Sequence, residues 1–339
     1  MAGEFEIIKK LREQGRTDDD VRVGIGDDAA VLRHNNATHL LVCSDLSIAG
    51  VHFRLDWMPP RLLGNKALAV TLSDIAAMGG VARYALLSIA IPPTISTTYI
   101  DEVLQGILET AERFEVALIG GDTSASPDTL FIDTTVVGEV TRRKAVRRSG
   151  AEADEVIFVT GSLGASALGL KLLELGHRLD EETDADAIFS LTEMRQQAIR
   201  RHLTVEPRLE FGQLLSERGL ATAMIDISDG LSSDLSHILD KSQCGATLKL
   251  ERIPVASCVT GLSIAGMEMD PINLALHGGE EYELLFTAAS ENRDELLAIA
   301  QLTGVPVTAI GRITAEPGLR IERNGTIEPL IPAGYEHKI

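Results

Sequence analysis

Cysteine is scarce in this chain. Cys43, Cys244 and Cys258 are odd in number and form no C-x-x-C pair, which argues against a disulfide framework and a structural zinc site and fits a reducing cytosol. Positive charge is also short. With 31 Lys and Arg against 50 Asp and Glu the net charge is -19, so neither nucleic acid nor an anionic membrane is an expected partner. No apolar run approaches the ~20 residues needed to cross a bilayer, and the opening MAGEFEIIKKLREQGR lacks the apolar core of a signal peptide. A cytoplasmic location is therefore expected. Three nucleotide-binding devices are missing as well: the G-x-x-x-x-G-K-[ST] phosphate loop, a G-x-G-x-x-G turn opening a helix after a strand, and the protein-kinase signature set. A nucleotide bound here must be held in another way.

What is present is a set of aspartates placed beside short apolar or glycine-bearing stretches. VRVGIG precedes Asp27 and Asp28, HLLVCS precedes Asp45, LAVTLS precedes Asp74, VALIGG precedes Asp122, and TAMIDIS contains Asp226 and leads to Asp229. Buried strands or helices would deliver such carboxylates to a cleft, where their mutual repulsion requires cations. Hard oxygen donors without clustered His or Cys suit magnesium. Each Asp could instead cap a helix or end a strand. In IDISDGLSSDL, for example, Ser228 and Asp229 are rival N-caps, which leaves Asp226 unexplained.

At 339 residues, 45% of them hydrophobic, the chain exceeds one core of ordinary size and has material for two domains. Helical spacing runs over 4–14, 61–78 and 99–114, with strands at 39–44, 84–91, 116–120 and 131–140, an alternation that predicts an α/β half. The basic stretch RRKAVRR then marks the crossing, so domains of 1–148 and 149–339 are expected, and one of its arginines could clamp a phosphate. The second half repeats the pattern: a strand at 155–161, helices at 163–176, 207–218 and 231–239, a strand at 222–227, then strand, helix, strand and a hairpin at Asn324 and Gly325. Residues 181–192 are acidic and weakly patterned, and a mobile loop is expected there. HGGEEYELLF projects Glu280 and Glu281 at a strand entry, SDLSIAGVHF combines Ser44, Asp45 and His52, and Tyr335 follows a flexible glycine.

Taken in order, GEFEII, GIGDDAAV, SDLSIAGVHF, LSDIAAMGG, LIGGDTS, RSGA, VTGSLGASALGL, MIDISDGLSSDL, HGGEEYELLF and GYEH resemble the thiamine-monophosphate kinase family across almost the whole chain. GIGDDAAV alone marks only the wider aminoimidazole-ribonucleotide-synthetase-like superfamily. The resemblance implies two α/β domains per subunit and a homodimer in which the N-terminal sheets close a barrel. It implies magnesium ligands at Asp27, Ser44, Asp45, Asp74, Asp122, Asp226 and Asp229, with potassium a candidate further cation. ATP contacts are implied at Asp27, Gly121, Asp122, Arg148 and Ser228, a thiamine phosphate pocket at His52, Glu280 and Tyr335, and the leading catalytic roles at Asp45, Asp122 and Arg148. The chain departs from the family pattern at Cys43, Ala49, Glu281 and Gly164–Ala165–Ser166.

The implied reaction is ATP plus thiamine phosphate giving ADP and thiamine diphosphate. Because a phosphate oxygen is already ionised near neutrality (second pKa about 6), no general base is required. The task is to bring two anions into line and neutralise them. Two rival readings stand beside this one: another ATP-dependent synthetase or maturation enzyme of the superfamily, and a metal- or nucleotide-binding protein without turnover. Against the first, no Cys precedes Cys43 and the chain ends GYEHKI.

Overall fold

A computed structural model describes residues 4–14, 18–179, 190–264 and 266–337. The first half contains α1 (Glu4–Gln14), β1 (Val21–Val23), β2 (Ala30–Arg33), β3 (Thr38–Ile48), α2 (Pro60–Ala77), β4 (Val81–Ile91), α3 (Thr97–Arg113), β5 (Ala117–Ala125) and β6 (Phe131–Thr141). Its six strands form one sheet in the order β1-β2-β3-β6-β4-β5. The second half contains β7 (Val156–Thr160), α4 (Ala165–Glu174), α5 (Leu191–Leu203), α6 (Leu209–Arg218), β8 (Ala223–Asp226), α7 (Leu231–Ser242), β9 (Gly245–Lys249), α8 (Ser257–Ile264), α9 (Pro271–His277), β10 (Leu284–Ala288), α10 (Arg293–Thr303), β11 (Val307–Thr314), β12 (Gly318–Arg323) and β13 (Thr326–Pro329). Its seven strands are ordered β13-β12-β9-β11-β7-β10-β8. The α/β class expected from the alternation is observed in its mixed form, since only β4–β5 and β9–β12 pair in parallel.

Strand β6 shows why the first sheet is one-sided. Burial alternates along FIDTTVVGEVT, with Ile132, Thr134, Val136 and Val140 turned inward, the period-2 pattern of a half-buried strand. The inward face packs on α2, which is apolar or small nearly all round and is buried from Leu63 to Ala77 with few interruptions. A helix of that kind is enclosed on all sides. Here α2 lies between the first sheet and the elements α6 and β8 of the second half. Its crossing with α3 is tight, because a Cβ on Gly106 would stand 2.0 Å from the carbonyl oxygen of Arg61.

Several predicted boundaries shift. Strand β5 runs past the expected 116–120 to Ala125, and α5, α8 and α9 form where no helix was expected. Leu191 and Thr192 open α5, behind a capping box at Ser190 and Glu193; the rest of the expected mobile loop, 181–189, lies outside the described residues. The hairpin forms as predicted, with Asn324 (φ 50) and Gly325 (φ 80) linking β12 to β13, the left-handed pair a type I′ turn requires. Among the described residues no helix is long and apolar enough to cross a membrane.

Candidate active site

Helix α2 assembles the acidic site. Thr71, Ser73 and Asp74 follow one another along its inner turns. The Thr71 hydroxyl lies 2.6 Å from the Thr134 hydroxyl of β6, and Ser73 Oγ donates to Asp226 Oδ2 at 2.6 Å. Asp226 arrives at the end of β8, Asp45 from β3, and Asp27 and Asp28 from the turn before β2. One carboxylate oxygen from each of Asp28, Asp74 and Asp226 lies within 4.8 Å of the others.

Packing these acids together is electrostatically costly. Burial pushes the Asp45 carboxyl up to about 6, with Thr71 opposing and Asp133 and Asp28 adding repulsion. Burial pushes Asp226 to about 7, with Asp28 adding to it and Ser73 and Arg148 working against it. Asp74 rises well above the usual range through burial and the charges of Asp45, Asp226 and Asp28. Asp28 Oδ2 and Asp45 Oδ2 are buried without a hydrogen-bond partner. Clustered acids that raise one another and keep idle lone pairs are short of cations.

Arg148 supplies one cation. Its backbone N–H donates to Asp27 Oδ1 at 2.9 Å, and its guanidinium meets Asp28 Oδ1 at 2.7 Å. Asp27 is nonetheless raised to about 6, burial outweighing that bond. Of the arginines in RRKAVRR, it is this last one that faces the acids. Asp28 was among the aspartates expected to converge but not among the ligands the resemblance implies, and it is the carboxylate that meets the Arg148 guanidinium.

The remaining expected ligands are placed differently. Ser44 neighbours Asp45 on β3, where successive side chains leave opposite faces. Its hydroxyl bonds Asp133 at 3.1 Å and Thr135 at 3.0 Å, while the Asp45 carboxyl lies on the Thr71 side, where that hydroxyl opposes its upward shift. Asp122 stands on β5, an edge strand exposed along its length, opposite Ser88, and among the described residues its side chain has no hydrogen bond or ion pair. Gly121 beside it (φ 148) has no room for a side chain, since a Cβ would lie 1.7 Å from the Leu87 carbonyl oxygen. Neither Ser228 nor Asp229 caps α7. Gly230 takes the N-cap position, and Asp234 reaches back to accept the N–H groups of Gly230 at 3.0 Å and Asp229 at 3.2 Å. The expected capping role is thereby corrected, and both side chains are relieved of it.

A second group of charges surrounds Glu280. Lys66, projecting from α2, lies 3.0 Å from Glu280 Oε1 and donates to the His202 carbonyl at 2.7 Å. His202 Nδ1 is 3.2 Å from Glu280 Oε2. Burial works to raise Glu280, but the Lys66 ammonium overrides it and holds the carboxyl below the usual range, with His202 and His52 acting in the same sense. His202 is pushed down to about 4 by burial and by Lys66, so near neutrality it is an uncharged ring, its Nδ1 also 3.2 Å from Ser166 Oγ. Glu280 (φ 59) and Tyr282 (φ 50) adopt left-handed conformations, with their N–H groups bonded to the carbonyls of Ser228 and Ile227. Strained backbone of this kind gathers at functional sites. Burial raises the Tyr282 phenol, the charges of Glu280, Asp45, Asp226 and Asp74 add to the effect, and the residue packs on Ala69, Val70 and Val205.

The other expected pocket residues meet in a cluster of rings. His52 accepts the Ile48 N–H on Nδ1 at 3.0 Å, and its ring stands 5.0 Å from that of His337. Tyr335 is edge-on to His337 at 4.9 Å. His52 and Tyr335 are thus joined through His337, which was not foreseen. Lys66 and His202 were also missed; a lysine inside the apolar pattern of α2 was the available signal for the first. Two of the departures from the family pattern prove to be partners, because Glu281 Oε1 accepts the N–H groups of Gly164 at 2.7 Å and Ser166 at 3.1 Å.

Comparison with known proteins agrees with this architecture. Residues 26–140 match the family model described as AIR synthase related protein, N-terminal domain, and 152–324 the corresponding C-terminal domain. The chain is 37% identical to the thiamine-monophosphate kinase of Salmonella typhimurium over 338 residues, covering 99% of this chain and 98% of that protein. Identity with the Bacillus subtilis enzyme of the same name is 34%, covering 98% and 99%. A solved structure described as AaThiL complexed with AMPPCP and TMP superposes with a TM-score of 0.84 at 29% identity, covering 99% of this chain and 97% of that one. With relatives this similar along nearly its entire length, the chain belongs to the thiamine-monophosphate kinase family.

Proposed function

We propose that this chain phosphorylates thiamine monophosphate with ATP as co-substrate, giving thiamine diphosphate and ADP, by direct in-line transfer between the acidic site and the Glu280 pocket. The observation that carries the reading is the cation-poor cluster of Asp28, Asp45, Asp74 and Asp226, joined through α2 to a Glu280 carboxylate that Lys66 of the same helix pairs. Full-length relatives carry the name thiamine-monophosphate kinase, and one solved relative is described with an ATP analogue and TMP.

The donor set fits magnesium, being all carboxylate oxygens with two buried atoms left over at Asp28 and Asp45. Asp28, Asp45, Asp74 and Asp226 would hold magnesium, with Asp27, Asp122, Asp229 and, from the other face of β3, Ser44 the donors for further ions, and potassium a candidate additional cation. When bound, magnesium supplies neutralisation of the phosphate charge that develops in transfer. Arg148, anchored on Asp27 and Asp28, presents its guanidinium to the nucleotide phosphates. Gly121 lets backbone approach closely, and Ser228 and Asp122 complete the nucleotide side. Glu280, its charge balanced by Lys66, offers carboxylate oxygens as hydrogen-bond acceptors, while Tyr335 and His52 offer ring faces and edges. An acceptor phosphate oxygen attacks the terminal phosphorus as the ADP oxygen departs. It is already ionised, so the residues need only align and screen the two anions.

The division near residue 148 belongs to the same proposal; Arg148 falls between the last strand of the first sheet, ending at Thr141, and the first of the second, starting at Val156. Twofold pairing of the first sheets is supported by the exposure of β5 along its whole length and of Leu46, Tyr84, Leu118 and Ile119. A cytoplasmic homodimer is the assembly proposed, and sedimentation giving only a 36.4 kDa species at micromolar concentration would refute it. The reaction is tested by incubating the protein with ATP, magnesium and thiamine monophosphate. ADP and thiamine diphosphate should appear together, and ADP formation no faster than without acceptor would overturn the reading.

A further inference from the structure

The segment that carries Tyr335 and His337 has no strand or helix of its own beyond β13, yet it is held at one point by side chains from two helices. Ser232, fully buried in the first turn of α7, donates to the Ala333 carbonyl at 2.8 Å and accepts the Ala333 N–H at 3.1 Å. Its single hydroxyl thus satisfies both backbone groups of one residue, as a neighbouring strand would. His277, the last residue of α9, brings Nδ1 to 2.8 Å from Ser232 Oγ and 3.2 Å from the same Ala333 carbonyl. A carbonyl oxygen only accepts, and the Ser232 proton is already committed to it, so the Nδ1 atom carries the hydrogen and donates to both. Immediately beyond, Gly334 is pressed so close to the Asp229 carbonyl oxygen that a Cβ would stand 2.7 Å away, and Tyr335 N–H donates to that oxygen at 3.1 Å. Three consecutive residues are therefore pinned to the start of α7, and the chain emerges with Tyr335 and His337 against His52.

We propose that Ser232 and His277 are positioning residues for the acceptor substrate: they clasp Ala333 and so hold Tyr335 and His337 at the mouth of the pocket beside His52. This rests on the assignment of that pocket to thiamine monophosphate. Neither residue touches the acceptor itself. Without the clasp the segment keeps β13 and the single Tyr335 N–H bond to the Asp229 carbonyl but loses the fixed point at Ala333, and more of the ordering of the Tyr335 ring falls on the substrate at each binding event. The cost falls on acceptor binding, not on the phosphates held by Arg148 and the acids.

The test is steady-state kinetics on the full-length protein and its point variants, with thiamine monophosphate and ATP varied in turn. Ser232→Ala and His277→Ala should each raise KM for thiamine monophosphate by about threefold to tenfold, the span of one or two net hydrogen bonds, with KM for ATP and kcat within twofold of wild type. Ser232→Thr, which keeps the hydroxyl, should restore most of the loss. The decisive measurement is a cycle with Tyr335→Ala. If the clasp acts through the segment, Ser232→Ala adds little once Tyr335 is gone, and the two effects are far from additive. Full additivity, an equal rise in both KM values, or an unchanged KM in the Ser232→Ala, His277→Ala double variant overturns the proposal. Wild-type protein that does not turn over thiamine monophosphate at all overturns the assignment of the pocket instead, and the two failures are thereby told apart.

Discussion

The acidic cluster and the Glu280 carboxyl both draw on α2, and they are shifted in opposite directions. At Asp45, Asp74 and Asp226 the carboxyls are pushed up, to about 6 at Asp45 and about 7 at Asp226, because burial and mutual repulsion outweigh the Arg148 guanidinium that pairs with Asp28. Glu280, also buried for the most part, is held down because α2 supplies the Lys66 ammonium at 3.0 Å. The difference separates a region that is finished by the chain from one that is finished by what it binds. Lys66 and Asp74 come from the same helix, so one element both completes the acceptor pocket and leaves the phosphate site needing cations.

The comparison breaks most severely at Lys66. Lys66→Met leaves Glu280 buried without its cation and should lower stability by about 3 kcal/mol or more, with the Glu280 carboxyl rising in response; urea denaturation checks it, and a loss under 1 kcal/mol would mean that the pocket is not self-neutralised. On the other side, Asp45→Asn and Asp122→Asn should each lower kcat by roughly 10² or more with the fold intact, since each removes charge that screens the transferring phosphate. Asp122 is the sharper case, standing on an exposed edge without side-chain partners. A rate near wild type for that variant alone would remove it from the set, and rates within threefold for both would sink the metal-cluster assignment.

The acidic region also has a pH signature. Folding raises Asp45 and Asp226 above an unfolded value of about 3.9, so it favours their neutral forms. Their contribution to stability is fully present below about pH 4 and is lost as pH rises through about 6 and 7. Metal-free protein should lose stability over that window, and magnesium should restore it where the acids are ionised. The rise in Tm on adding magnesium should therefore be larger at pH 8 than at pH 5.5 by differential scanning fluorimetry; an equal rise at both contradicts cation binding by these groups. The smallest effect is expected at the rim. Tyr335→Ala forfeits stacking worth about 0.5 to 1.5 kcal/mol, which should raise KM for thiamine monophosphate severalfold and leave KM for ATP nearly unchanged. Equal weakening of both would assign the tyrosine to the nucleotide or the fold.

How much of this was legible in the sequence follows the range of each interaction. Asp45, Asp74 and Asp226 could be named because each sits at the end or within a short apolar stretch whose period betrays its element, and α2 (Pro60–Ala77) was legible for the same reason. The capping of α7 was misread because Asp234, a full turn inside the helix, reaches back to do what Ser228 and Asp229 were placed to do. Local spacing offers the candidates but does not choose among them. Lys66 looked like one lysine in an apolar pattern until Glu280, 3.0 Å away in space, appeared beside it.

By itself, then, the sequence determined the family, the acidic chemistry and most of the helices and strands, since motif order and hydrophobic period are properties of neighbouring residues. Tertiary structure decided what no local rule carries: the largely antiparallel pairing in the two sheets, the side of β3 from which Ser44 and Asp45 each leave, the pairing of Arg148 with Asp28, and the fold of the terminal segment onto Ser232 and His277. The physical reason is that a charge or hydroxyl takes its role from what lies within about 3 Å of it, and in this chain those partners come from far along the sequence.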